Sequence, residues 1–259
     1  MAATVSWSLA FNLAAGLMIA VAGLNALVMP RPVEHHPQEG TAGVGARFSA
    51  STAFLASYRS FLSQPQAIRV FAFMLVYRLG DIMMFAMSSP MLQDNGIGPG
   101  PRAALRTFQM LGFMTGSILG GFVIARRGLA RCLVPMTMIQ NLMIPLYIGL
   151  AVWKPHFGGV AAIVIVEQIA SGIGTAANSV FVMQRCRTTF AASHFAFATS
   201  LVSLASTVSG FLSGPINQRV GHPWFFTIAF LASLPGLALA FVVPKTPLEP
   251  APASAPETE

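Results

Sequence analysis

The chain has 259 residues, 54% of them hydrophobic and only 9% charged, against roughly 25% charged in an ordinary soluble domain. That composition excludes a soluble fold and predicts an all-α polytopic membrane protein. The formal net charge of +7 would indicate nucleic acid in a soluble protein, but here the arginines cluster between apolar runs, where positive charge sets membrane orientation.

A spanning helix needs about 20 predominantly apolar residues, and seven stretches supply them: residues 5–28, 68–89, 105–124, 133–153, 160–183, 190–212 and 225–243. The organisation read from this is a transmembrane helix over 1–29, a cytoplasmic linker over 30–66, a six-helix transporter half over 67–244 and a disordered cytoplasmic tail over 245–259. Alternate connections differ in charge as spanning helices require. One side holds Arg31, Arg47, Arg59, Arg69, Arg126, Arg127, Arg131, Arg185, Arg187 and Lys245, the other Arg102, Arg106, Lys154 and Arg219, with Arg78 inside the membrane. The ten-to-four bias assigns the first side to the cytoplasm and Met1 to the outside.

The first span follows Met1 without the basic n-region of a signal peptide. In the linker, His35 and His36 lack the companion ligands of a metal site, so no metal or other cofactor is expected. Its last part places Phe54, Leu55, Tyr58, Phe61 and Leu62 on one helical face, either an interfacial helix or a lead-in to the next span. Cys132 and Cys186 fall near cytoplasmic helix ends and read as free packing thiols. The tail, KTPLEPAPASAPETE, is rich in Pro and Ala.

Charges at membrane depth are the strongest functional signal, because each is costly without a wet cavity or a partner. Asp81 lies in VFAFMLVYRLGDIMMFAM and Glu167 in VAAIVIVEQIASGIGTAA. Many transporters build a six-helix half from two inverted three-helix repeats with the substrate at the midplane. In that plan Asp81 and Glu167 occupy the first helix of each triplet, at similar depth and able to face one vestibule. Arg78, three residues before Asp81, shares its face, which allows a purely structural pair or a guanidinium that binds an anionic substrate group while Asp81 orients it or carries a proton. Glu167 has no sequence-local basic partner and reads either as a proton site or as a carboxyl hydrogen-bonded to Gln168 or Asn178. Gln109, Gln140 and Asn141 are cavity-facing binders or intramembrane hydrogen-bond partners.

Gly112, Gly116 and Gly120 recur every four positions and mark a helix-packing seam, and Gly172 and Gly174, in the fifth of the seven spans, serve close packing or let that helix bend or leave room for a ligand. Ser200, Ser203, Ser206, Ser209 and Ser213 form a drifting stripe suited to interhelical hydrogen bonds, and His194 reads as a packed histidine. No HExxH, GxSxG or Walker signature supports an enzyme.

The runs YRLGD, SSPMLQDNGIG, GSILGGFVIARRGLARCL, MIQN, EQIASGIGTAANSVFVMQRC and HFAFATSLVSLASTVSGFLSGP together resemble the C-terminal half of AmpG-type muropeptide permeases, in the peptide and acetyl-CoA transporter group of the major facilitator superfamily. The resemblance covers about residues 65–243, and residues 5–30 look like the last helix of an otherwise missing N-terminal half. It implies proton-coupled import of anhydromuropeptides for peptidoglycan recycling at the bacterial inner membrane. It also makes Arg78, Asp81 and Glu167 the cavity residues. A transporter of this kind needs two halves. The sequence therefore leaves open a split transporter completed by a partner chain, a homo-oligomer, or a truncated half with a scaffold or assembly role and no transport alone.

Overall fold

The computed structural model describes residues 7–28, 59–64, 66–186, 191–246 and 248. The linker histidines, Phe54, Leu55, Tyr58 and residues 249–259 lie outside the described residues. The chain divides into two compact units, Met1–Arg47 and Phe48–Glu259. In the first, helix α1 (Trp7–Val28) exposes every side chain from residue 11 to 28. Of its two amides there, Asn12 and Asn25, the second returns its Nδ2 to the Val21 carbonyl at 3.0 Å. A helix apolar nearly all round is suited to lipid.

The second unit contains α2 (Ala67–Val76), α3 (Leu79–Asp94), α4 (Pro99–Arg127), α5 (Leu129–Trp153), α6 (Phe157–Gln184) and α7 (Ala191–Val242). The protein is an all-α polytopic membrane protein. Helices α2 and α3 run on as one 28-residue span, interrupted at Tyr77 and Arg78. Helix α7, at 52 residues, would extend about 78 Å if straight, far beyond the roughly 30 Å hydrocarbon core. It breaks at Gly221, whose φ of 77° and ψ of 164° are non-helical and suit glycine. The arms 191–220 and 222–242 correspond to the last two predicted spans. Gly128 (φ 77°) and Lys154 (φ 44°) make the tight turns that fold α4, α5 and α6 back on one another.

Packing follows the small residues. Helix α4 lies along α6, α5 packs against α6 and α7, and α3 packs against α7. One apolar cluster gathers Phe73, Leu133 and Phe181, and a second gathers Met84, Met91, Tyr147, Phe225 and Phe226. Large apolar side chains such as Phe108, Ile118, Phe211 and Trp224 point outward, as a lipid solvent permits.

At the end where α6 stops and α7 begins, Phe61 is buried against the His194 ring, 5.3 Å between centroids, while Leu62 is exposed. The expected common face therefore does not hold for these two residues, because Phe61 is recruited into the core of the bundle. Gln64 Nε2 donates to the Arg185 carbonyl at 3.0 Å. The buried Arg185 guanidinium donates to the carbonyls of Pro244 and Thr246. Three chain segments are thus tied at that end.

Candidate functional site

The site is built where α2 gives way to α3. Neither proline nor glycine occupies residues 77 and 78, so the break has a tertiary cause. Arg78 leaves the helical region (φ −101°, ψ 2°) and stands as the N-cap of α3. The Tyr77 hydroxyl lies 2.7 Å from both the Gly174 carbonyl and Gln140 Oε1, sharing its single proton between two acceptors on α6 and α5. Gly236 and Gly80 admit the backbones that surround the break. A Cβ on Gly236 would sit 2.8 Å from Tyr77 Cα, and one on Gly80 would collide with the Ala229 carbonyl of α7. Asp81 falls in the first turn of α3, where the exposed N–H groups favour a carboxylate. Arg78 Nη2 completes its environment at 3.1 Å, and Ser171 Oγ of α6 lies 3.5 Å from the same oxygen.

Arg78 and Asp81 open onto a cavity of about 490 Å³. Its other polar groups come from three helices: Arg106 and Gln109 of α4, Gln168 and Ser171 of α6, and Ser206 of α7, with Phe85 and Phe113 as apolar wall. The Arg106 guanidinium lies 5.5 Å from the Phe85 ring centroid, within cation–π reach. A second cavity of about 270 Å³, towards the end where α6 finishes, also has Arg78 in its wall, together with Thr175, Asn178, Ser179, Thr199 and Ser203. Arg78 is thus common to two cavities. Its Nε, Thr175 Oγ1 and Asn178 Oδ1 are buried and have no hydrogen-bond partner among the described residues.

The sequence-predicted residues are therefore sorted by the fold. Arg78, Asp81, Gln109 and Gln168 line the larger cavity and Asn178 the smaller. Glu167, 1% exposed, is in the wall of neither. It stands one residue behind Gln168, which donates to it from Nε2 at 2.9 Å, while the Tyr147 hydroxyl of α5 donates at 3.3 Å. Gln140 serves Tyr77, and Asn141 donates from Nδ2 to the Thr137 carbonyl at 2.8 Å. Gly112, Gly116 and Gly120 face Ile165, Ile169 and Ile173 of α6 in matching steps of four, and Gly172 faces the Phe113 carbonyl in return. His194 is buried, and Ser213 donates to the Ser209 carbonyl within its own helix.

Sequence reading missed Arg106 as a lining residue, along with Phe85, Ser171 and Ser206. Arg106 was grouped with a polar connection, but α4 begins at Pro99, which puts this side chain two turns inside the helix. The signal was available in GPGPR, since proline is favoured in the first turn of a helix.

No family model matches the chain. It is similar to the anhydromuropeptide permease of Escherichia coli (strain K12), 25% identical over 244 residues that make up 93% of this chain and 48% of that protein. A Rickettsia conorii protein carrying the name AmpG 4 is 23% identical over 70% of this chain and 44% of its own length. An uncharacterized Haemophilus influenzae protein is 26% identical over 69% of this chain and 44% of its own length. The chain spans about half the length of the curated relatives it matches, and it resembles AmpG-type permeases over most of its own length.

Proposed function

We propose that residues 67–244 form one half of a membrane transporter that carries anhydromuropeptides or closely related solutes, driven inward by protons across the bacterial inner membrane. The observation that carries this reading is the cavity in which two guanidinium groups, Arg78 and Arg106, meet Asp81, Gln109, Gln168 and Ser171 among helices long and apolar enough to span a bilayer. Arginine forks suit carboxylates of a peptide-bearing sugar, and the amides suit its hydroxyl and acetamido groups. The name of the Escherichia coli relative supports the same solute class.

In this reading Asp81 holds Arg78 in place until substrate competes for it, and Glu167 takes the proton. A buried carboxyl flanked by a hydroxyl and an amide can be neutral or charged without a fixed counter-ion. The arginine-rich helix ends lie in the cytoplasm, by the positive-inside rule. The remaining wall of the pathway comes from a second six-helix half.

The test is binding and uptake of labelled anhydromuropeptide by the purified chain. Wild type is expected to bind in detergent and, with its second half present in proteoliposomes, to accumulate label under an inward proton gradient. Binding equal in wild type and Arg78→Gln, with both folded, would remove the assigned site. Accumulation indifferent to the gradient would remove proton coupling.

A further inference from the structure

A third cavity has no part in the proposed pathway. It lies between α4 and α5 and has a volume of about 400 Å³, walled by Leu119, Val123, Ile139 and the Ile173 side of α6, with Arg127 and Arg131 at its end. Leu119 and Ile139 are about half exposed, so the groove opens sideways, onto the surface that lipid covers. From Leu119 to Arg127 the helix rises about 12 Å, a depth measured from the turn at Gly128 into the apolar zone. Pro135, which has no N–H to give the Arg131 carbonyl, also lines the groove.

Its charge is one-sided. The acidic groups among the described residues are Asp81, Asp94 and Glu167, and none of them approaches this turn. The ion pairs found among the described residues involve Arg78 and His222. Arg126 lies over the Phe122 ring, 4.2 Å from its centroid, which leaves Arg127 and Arg131 at the mouth. An apolar slot that begins at two guanidinium groups at headgroup depth is complementary to one kind of bilayer molecule.

The geometry points to a binding site for an anionic diacyl phospholipid, its phosphate held by Arg127 and Arg131 and one acyl chain laid between α4 and α5. Basic pockets between membrane helices select such headgroups, and each arginine near the surface contributes about a fivefold preference.

The experiment is native mass spectrometry of the purified full chain exchanged into defined mixtures of phosphatidylglycerol and phosphatidylethanolamine. Wild type is expected to retain phosphatidylglycerol preferentially. Arg127→Gln and Arg131→Gln should each lose about fivefold of that preference, and Lys154→Gln, at the other end of α5, should lose none. Ile139→Trp, which fills the groove and keeps both arginines, should weaken retention of diacyl lipid but leave binding of glycerol 3-phosphate unaltered. Circular dichroism on every variant separates lost binding from lost fold. Equal retention of the two lipids by wild type overturns the proposal. Full competition by glycerol 3-phosphate with no effect of Ile139→Trp overturns it too, in favour of a simple anion site. Lipid preference that appears only when residues 249–259 are removed assigns the groove to the chain's own acidic tail and overturns it as well.

Discussion

A guanidinium keeps its proton at any physiological pH, so Arg78 carries a permanent charge into the bundle and its surroundings must answer it. Asp81 does so through one oxygen at 3.1 Å, and Nε is left without a partner among the described residues. A charge held by a single contact at a cavity wall is, on the proposed function, available to a substrate. Arg78→Gln should therefore cut substrate uptake by at least about tenfold while helicity and monodispersity are retained. Arg78→Lys should fall between, since an ammonium keeps charge but loses the fork. Asp81→Asn leaves the cation uncompensated and should lower thermal stability. Adding Arg78→Gln to it should restore stability but not uptake, because removing both partners of a buried pair costs less than removing one. A double variant no more stable than Asp81→Asn would show that the pair is not what Asp81 supports. Glu167 differs in kind. Glu167→Gln keeps a side chain that can accept from Tyr147, so folding should persist, with gradient-driven accumulation lost and downhill flux maintained. Accumulation equal to wild type would assign the proton elsewhere. The pairing of Arg78 with Asp81 was legible from a spacing of three on one helix. The seclusion of Glu167 behind Gln168 was not, because residues adjacent in sequence point about 100° apart on a helix and only tertiary packing decides which of them meets the cavity.

Among the elements, the α4 and α6 pair is held by backbone approach rather than by side-chain interlock. A Cβ on Gly116 would strike the Ile169 carbonyl of α6, whereas one on Gly121, just past the last glycine of the seam, meets nothing within 4 Å. Gly116→Ala should destabilise by about 1–3 kcal/mol, the usual cost of overpacking, and Gly121→Ala should be neutral or stabilise by up to about 1 kcal/mol, the helix-propensity gain. Thermal unfolding in one detergent compares them directly, and equal melting temperatures would contradict the seam. The glycine period of four revealed the face but not its partner, since nothing in GFMTGSILGG says that Ile165, Ile169 and Ile173 will lie opposite. The break between α2 and α3 was illegible for a related reason. Its cause is a tyrosine hydroxyl reaching two other helices, and local propensity carries no trace of that. Tyr77→Phe should accordingly cost about 1–3 kcal/mol by leaving the buried Gln140 oxygen unpaired and removing the bond that ties Tyr77 to the Gly174 carbonyl. It should also perturb substrate affinity by freeing Arg78. The break at Gly221, by contrast, follows from a glycine and a proline two residues apart and could be read directly.

For the whole molecule, the spans were legible because lipid demands length and apolarity of every helix at once, and each predicted stretch overlaps, among the described residues, a single helix, the broken α2–α3 span or one arm of α7. Orientation rests on a different physical effect, the retention of Lys and Arg on the cytoplasmic side, and it can be tested on the folded protein. Arg126, at the end of α4, and Lys154, at the end of α5, sit at opposite ends of an antiparallel pair and are both exposed. The native thiols interfere little. Cys132 is buried, and burial pushes the Cys186 thiol up, so less of it is thiolate at neutral pH and it reacts more slowly. In intact cells a membrane-impermeant maleimide should therefore label Lys154→Cys within minutes and leave Arg126→Cys unmodified until the membrane is opened. The reverse pattern would invert the topology and move the anionic-lipid groove to the outer leaflet. Labelling of both variants in sealed cells would mean that α5 does not cross the bilayer, and the six-helix half would fail with it.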